Sequence, residues 1–345
     1  MVLGAIVTVG IGGDASACDA SADSATSDRS RDETPFPIPL SCVDVLGRSV
    51  IERMVERFAG ADVEAVSVLV HASISHLVPA FRRSFEKLEV QVVEDMQFAI
   101  GQTLKHYAES GVDFAFVTDA NTYAECDLID LLWFHRGSRQ VITRTFDREG
   151  ALNFWVATCA KAHESDLAIL FSKTEETGSA SYFISDYLTR LAHPRDVRRL
   201  VECVLRGRCE MRPLGQEVRP GVWVDDGAQI HKRARIVAPA YIGRESVVRE
   251  DSVITRFSNI EKQSYIDYGT VIEDSSILTN SYVGIWLDVA HAVVRGNRLW
   301  NLTRNVMLKI SDPSVIRRNV PPQNKIRGGL NVPPPLGLLA FAPLG

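Results

Sequence analysis

The sequence predicts an α/β domain with a mostly parallel sheet, followed by a parallel β-helix of hexapeptide repeats. Ten aliphatic residues stand six apart: Val224, Ile230, Ile236, Ile242, Val248, Ile254, Ile260, Ile266, Ile272 and Leu278. Four residues after each of the first nine comes a small one: Ala228, Ala234, Ala240, Ser246, Ser252, Ser258, Ser264, Thr270 and Ser276. An α-helix repeats every 3.6 residues and a strand every 2, so neither sustains a period of six. A hexapeptide β-helix does, because each short strand buries one aliphatic side chain and each corner takes a small residue. Upstream of the repeats, apolar runs alternate with segments of helical spacing, the pattern of a parallel sheet covered on both faces.

The elements follow in order. Leu3 to Val9 is an apolar strand ending in a glycine-rich turn at Gly10, Gly12 and Gly13. Residues 14–34 are rich in Ala, Ser and Asp and have little to bury, so they are expected as a flexible loop. Val50, Ile51, Met54, Val55 and Phe58 mark a helix, and Val66 to Val70 a buried strand. Phe81, Phe85 and Leu88 mark a second helix, Val90 to Val93 a strand, and Ile100 to Tyr107 a third helix. Phe114 to Val117 is a strand ending at Thr118 and Asp119, and Leu128 to Phe134 is helical. Val141 to Thr143 and Leu167 to Phe171 are strand-like. Tyr182 to Leu191 resembles a strand passing into a helix, and Arg198 to Leu205 a further helix. Pro213, Gly215, Pro220 and Gly221 mark a boundary. The expected domains are 1–213, 214–312 with Val289, Val293, Val294, Leu299 and Leu302 extending or capping the repeats, and a proline-rich tail over 313–345.

Composition narrows the function. A net charge of −5 argues against a general nucleic-acid binder. No apolar run approaches the roughly 20 residues a membrane helix needs. The six cysteines lack a C-x-x-C pair, which points to reduced thiols in the cytoplasm. The N-terminal apolar run has no basic residue before it, so a buried first strand is expected rather than an export signal. Apolar residues preceding the register positions, namely Tyr241, Val247, Val253, Tyr265, Val271 and Ile277, are expected at the surface, where they would favour a homo-oligomer.

Two segments carry a family resemblance. Pro37-Ile38-Pro39-Leu40 through Val45-Leu46-Gly47-Arg48 to Phe58 resembles the stretch after the phosphate loop of sugar-1-phosphate nucleotidyltransferases. Phe116-Val117-Thr118-Asp119, followed by Cys126 to His135, resembles a second segment of that family. Such domains are often followed by a left-handed hexapeptide β-helix. The resemblance implies a Rossmann-like, GT-A-like domain that joins an NTP to a sugar 1-phosphate and releases pyrophosphate. It implies a phosphate cradle at Gly10, Gly12 and Gly13, and Mg²⁺ held at Asp119.

The sequence departs from the family where phosphates would bind. The family's glycine loop continues into Thr-Arg, whereas Gly13 is followed by Asp14 and an acidic, alanine-rich stretch. The family's Pro-Lys-Pro is Pro37-Ile38-Pro39. Losing one oxyanion-stabilising contact typically costs roughly 10²–10³ in rate. The expectation is therefore a nucleotidyltransferase-like protein that binds a nucleotide or sugar nucleotide with weakened or lost transferase activity. The alternatives are an active nucleotidyltransferase using Mg²⁺, and a hexapeptide-repeat acyltransferase with His231 or His291 as base. The basic segment 295–327, with Asp312 as its one acid, is expected as a solvated cap or as a draw for a phosphorylated ligand.

Overall fold

The computed structural model describes residues 1–10, 38–78, 88–162 and 179–319. Gly12, Gly13, the 14–34 stretch, Phe81 and Phe85, the run Leu167 to Phe171 and residues 320–345 of the expected tail lie outside the described residues. The chain forms two compact units, one of Met1–Cys42 with Val50–Ala192, the other of Val43–Ser49 with His193–Gly345. The division thus falls at Ala192, ahead of the Pro213 boundary read from composition. Pro and Gly mark a turn, but a turn within a unit looks the same as one between units.

In chain order the elements begin β1 (Leu3–Val9), β2 (Asp44–Val45), β3 (Arg48–Ser49), α1 (Val50–Gly60), β4 (Ala65–His71) and β5 (Glu89–Val93). There follow α2 (Met96–Glu109), β6 (Phe114–Asp119), β7 (Thr122–Ala124), α3 (Leu128–Ser138), β8 (Ile142–Asp147) and β9 (Gly150–Thr158). The series continues with α4 (Cys159–Ala162), β10 (Ser179–Phe183), β11 (Leu188–Arg190) and α5 (Pro194–Leu205). The expected helix before Leu191 is instead β11, which pairs antiparallel with β7, and the following helix starts at Pro194 rather than Arg198. Pro194 at the first helical position and the reciprocal capping of His193 and Asp196 set that start.

In the first unit a seven-stranded sheet runs β10-β8-β9-β6-β1-β4-β5. It is parallel across β6, β1, β4 and β5, while β9 runs antiparallel to both neighbours. Every residue of β1 is buried, as an apolar central strand requires. Its side chains alternate between two cores. Val7 and Val9 join Ile51, Phe58, Leu131 and Phe154 on one face, and Ile6 joins Ile100, Leu104, Tyr107 and Trp155 on the other. The Tyr107 hydroxyl donates to the carbonyl of Ala5 at 3.0 Å, and its ring lies where any side chain at position 4 would collide, which explains Gly4.

In the second unit short parallel strands stack into three sheets, with the aliphatic register pointing into one core. Ile242, Ile254, Ile260, Ile266 and Ile272 are completely buried. The small positions do more than leave room. Ser246, Ser252, Ser264 and Ser275 each donate a side-chain hydrogen bond to a carbonyl of the next coil, at 2.8, 2.8, 3.0 and 3.2 Å. Several also accept an amide from that coil, as Ser264 does from Ser281 and Ser258 from Ser275. The hydroxyls thereby form a buried ladder along the stack, satisfying groups that an alanine would leave unpaired.

Two expectations about the repeats are corrected. The coil step shortens from 18 to 17 residues, and Ile277 rather than Leu278 stacks on Ile260. Ile277 is therefore buried, and so is Tyr241, neither being a surface flank, while Val247, Val253, Tyr265 and Val271 are half-buried. Tyr241 is enclosed by the β2–β3 hairpin, where its hydroxyl lies under Gly47. The expected tail also begins too early at 313. Ile316–Arg318 pairs antiparallel with Ser281–Val283, and Ile316 joins the core. An antiparallel meander, Ala292–Arg295, Arg298–Asn301 and Val306–Lys309, ends one sheet.

Candidate functional site

In the first unit, β1 leads through β4 and β5 to one side, and β6 returns to the other side of β1. Strand order therefore reverses between β1 and β6. In open α/β sheets ligands bind outside the carboxyl ends of strands at such a reversal. Gly10 and Asp119 both sit there. Thr8 is paired with Asp119, the Ala120 N–H donates to the Thr8 carbonyl at 2.9 Å, and Gly10 follows one residue beyond Val9. A side chain built at Gly10 would meet nothing within 4 Å among the described residues. Gly12 and Gly13, the rest of the expected cradle, lie outside the described residues.

Asp119 is the last residue of β6, and its Oδ1 accepts the Asn121 N–H at 2.6 Å. Burial raises its carboxyl above the ordinary value, and the hydrogen bonds from Asn121 pull it back. The Asn121 Oδ1 is enclosed with no donor among the described residues. Such an acceptor favours a partner that brings a hydroxyl or N–H.

Two residues near these strand ends escaped the sequence reading. His71 closes β4 beside β1, its Nδ1 within 2.7 Å of the Ser73 hydroxyl. Arg57 of α1 donates to the Cys126 carbonyl at 2.9 Å and, with Thr118, lines a cavity of about 20 Å³, room for about one water. A histidine after an apolar run and an arginine on a helix look ordinary in one dimension. Only the strand pairings place them at this edge.

Mg²⁺ takes octahedral oxygen ligands, usually one or two carboxylates with substrate phosphates. Asp119 offers one carboxylate, and among the described residues no three metal-ligating side chains gather.

The two candidate bases of the repeats differ. His231 stands 3.8 Å from Glu250, beyond hydrogen-bond distance, whereas the Nδ1 of His291 lies 2.6 Å from Asp274. Among the described residues no helix is long and apolar enough to cross a membrane. No family model matches the chain, and no curated protein matches it.

Proposed function

We propose that the first unit binds a nucleotide or sugar nucleotide at the carboxyl ends of β1 and β6, with transferase turnover weak or lost. The observation that carries this reading is the convergence of Gly10 and Asp119 at the strand-order reversal. The Asn121 Oδ1, which has no donor among the described residues, supports it, because ribose and sugar hydroxyls are donors. Weak turnover follows from the acidic stretch after Gly13 and from Ile38 in place of the family's lysine.

In this reading the sheet is a Rossmann-like, GT-A-like nucleotidyltransferase core and the stacked coils a left-handed β-helix that assembles subunits. Exposed Ile285 and Trp286 on the coils offer an apolar contact for a second copy. A cytoplasmic location suits Cys126 and Cys203, which are thiols rather than disulfide partners.

The test is a thermal-shift titration with nucleoside triphosphates and sugar nucleotides, since a ligand of the native state raises its apparent stability without turnover. Stabilisation is expected in the parent and lost in Asp119→Ala. A parallel assay with Mg²⁺, nucleoside triphosphates and sugar 1-phosphates is expected to release little pyrophosphate. Robust release that disappears in Asp119→Ala would establish the active enzyme instead.

A further inference from the structure

Helix α5 carries Arg195, Arg198, Arg199 and Glu202 at i, i+3, i+4 and i+7, which places all four on one face. With Asp274 and His291 they line a cavity of about 410 Å³ lying wholly within the second unit. That volume falls in the roughly 300–1,000 Å³ span of small-molecule sites.

The charges on this wall are unevenly matched. Arg198 is only 5% exposed and donates to the Phe257 carbonyl at 2.9 Å and to Asp274 Oδ1 at 2.7 Å. The other oxygen of Asp274 meets His291 Nδ1 at 2.6 Å, so both oxygens of that carboxylate are engaged. Glu202 is paired with Arg206 at 2.6 Å. Both acids are thus neutralised by their own partners. Arg195 donates to the Leu302 carbonyl at 2.9 Å but has no carboxylate partner among the described residues. Arg199 has Asp196 only at 3.7 Å and is 70% exposed. Two guanidiniums one helical turn apart repel each other, and a shared anion relieves that repulsion.

We propose that this cavity is a second binding site, for the phosphate group of a phosphorylated sugar. Arg195 and Arg199 hold the phosphate through paired N–H donors, the geometry in which guanidinium outperforms an ammonium. Arg198 and Asp274 fix the wall behind it, and Asp274 orients the His291 ring. The Thr303 hydroxyl, also on the lining, gives the sugar a polar partner. This site does not depend on the strand-edge reading of the first unit.

The experiment is calorimetric titration of glucose 1-phosphate, inorganic phosphate and glucose, in an Asp119→Ala background that silences the strand-edge site. Glucose 1-phosphate is expected to bind, inorganic phosphate more weakly, and glucose not at all. Arg195→Ala/Arg199→Ala in the same background is expected to weaken glucose 1-phosphate binding by about 100-fold, roughly tenfold for each lost charge-assisted contact. Both arginines are exposed, so their removal leaves the melting temperature near that of the background. Equal binding with and without the two arginines overturns the proposal. So does glucose binding as tightly as its phosphate, or no phosphate binding at millimolar concentration.

Discussion

Glu261 is a completely buried carboxylate in the repeat stack, and it holds a hairpin that lies more than 200 residues earlier in the chain. Its Oε1 accepts the Leu46 N–H at 2.7 Å and the Asn259 amide at 2.7 Å, and its Oε2 accepts the Gly47 N–H at 3.0 Å. Glu261→Ala leaves these three donors without their acceptor. Leu46 and Asn259 are themselves fully buried, and a buried unsatisfied donor costs about 1–3 kcal/mol, so the loss is about 4 kcal/mol. The assay is amide hydrogen exchange of residues 43–49, which reports local opening of that hairpin. About 4 kcal/mol corresponds to about a 10³-fold fall in protection. Glu261→Gln keeps one oxygen and turns an N–H₂ toward the other donor, for a fall of about tenfold.

The same carboxyl sets a pH dependence. Burial first, then the nearby Asp44 carboxylate, push Glu261 up from 4.5 to about 7, against the three N–H donors. Between those values the folded state keeps a proton that the unfolded chain has released. Its contribution is complete below about pH 4.5 and fades as pH rises through 7, by about 3 kcal/mol in total. Hairpin protection, corrected for intrinsic exchange, should therefore fall between about pH 5 and 8 in the parent and stay level in Glu261→Gln. Unchanged protection in Glu261→Ala would refute the reasoning.

Two further outcomes follow from buried polar groups. His135 is 1% exposed, with Nδ1 at 2.8 Å from the Thr143 hydroxyl and Nε2 at 3.0 Å from that of Thr158, and burial lowers its pKa from 6.5 to about 4. The unfolded chain takes up a proton first, so stability present above pH 6.5 is lost as pH falls toward 4, by about 3 kcal/mol. Urea unfolding at several pH values should show that loss in the parent and less of it in His135→Gln; equal acid sensitivity in both contradicts the assignment. Ser264→Ala removes a donor to the Leu278 carbonyl at 3.0 Å and an acceptor for the Ser281 N–H at 3.3 Å. It should cost about 1–3 kcal/mol in urea unfolding, and a neutral result would reduce the hydroxyl ladder to a size requirement.

The candidate site was partly legible in the sequence. Gly10 and Asp119 each end an apolar run, and strand ends are written locally by where apolar residues stop. That the two ends are neighbours depends on β6 inserting beside β1, a pairing across more than 100 residues. His71 and Arg57 were invisible for the same reason. The Arg198–Asp274–His291 chain joins a helix to two turns of the repeat stack, and their spacing follows no short motif.

Sequence alone determined the alternation of strand and helix, the inward aliphatic register, and the small residue at each corner. Those features follow from repeat period and side-chain size, both local properties. Only the tertiary structure decided the slip that substitutes Ile277 for Leu278, the burial of Tyr241 under the β2–β3 hairpin, and the pairing of Ile316–Arg318 with the stack. Each depends on which distant backbone donors and apolar faces must be satisfied together, and one-dimensional periodicity carries no record of that.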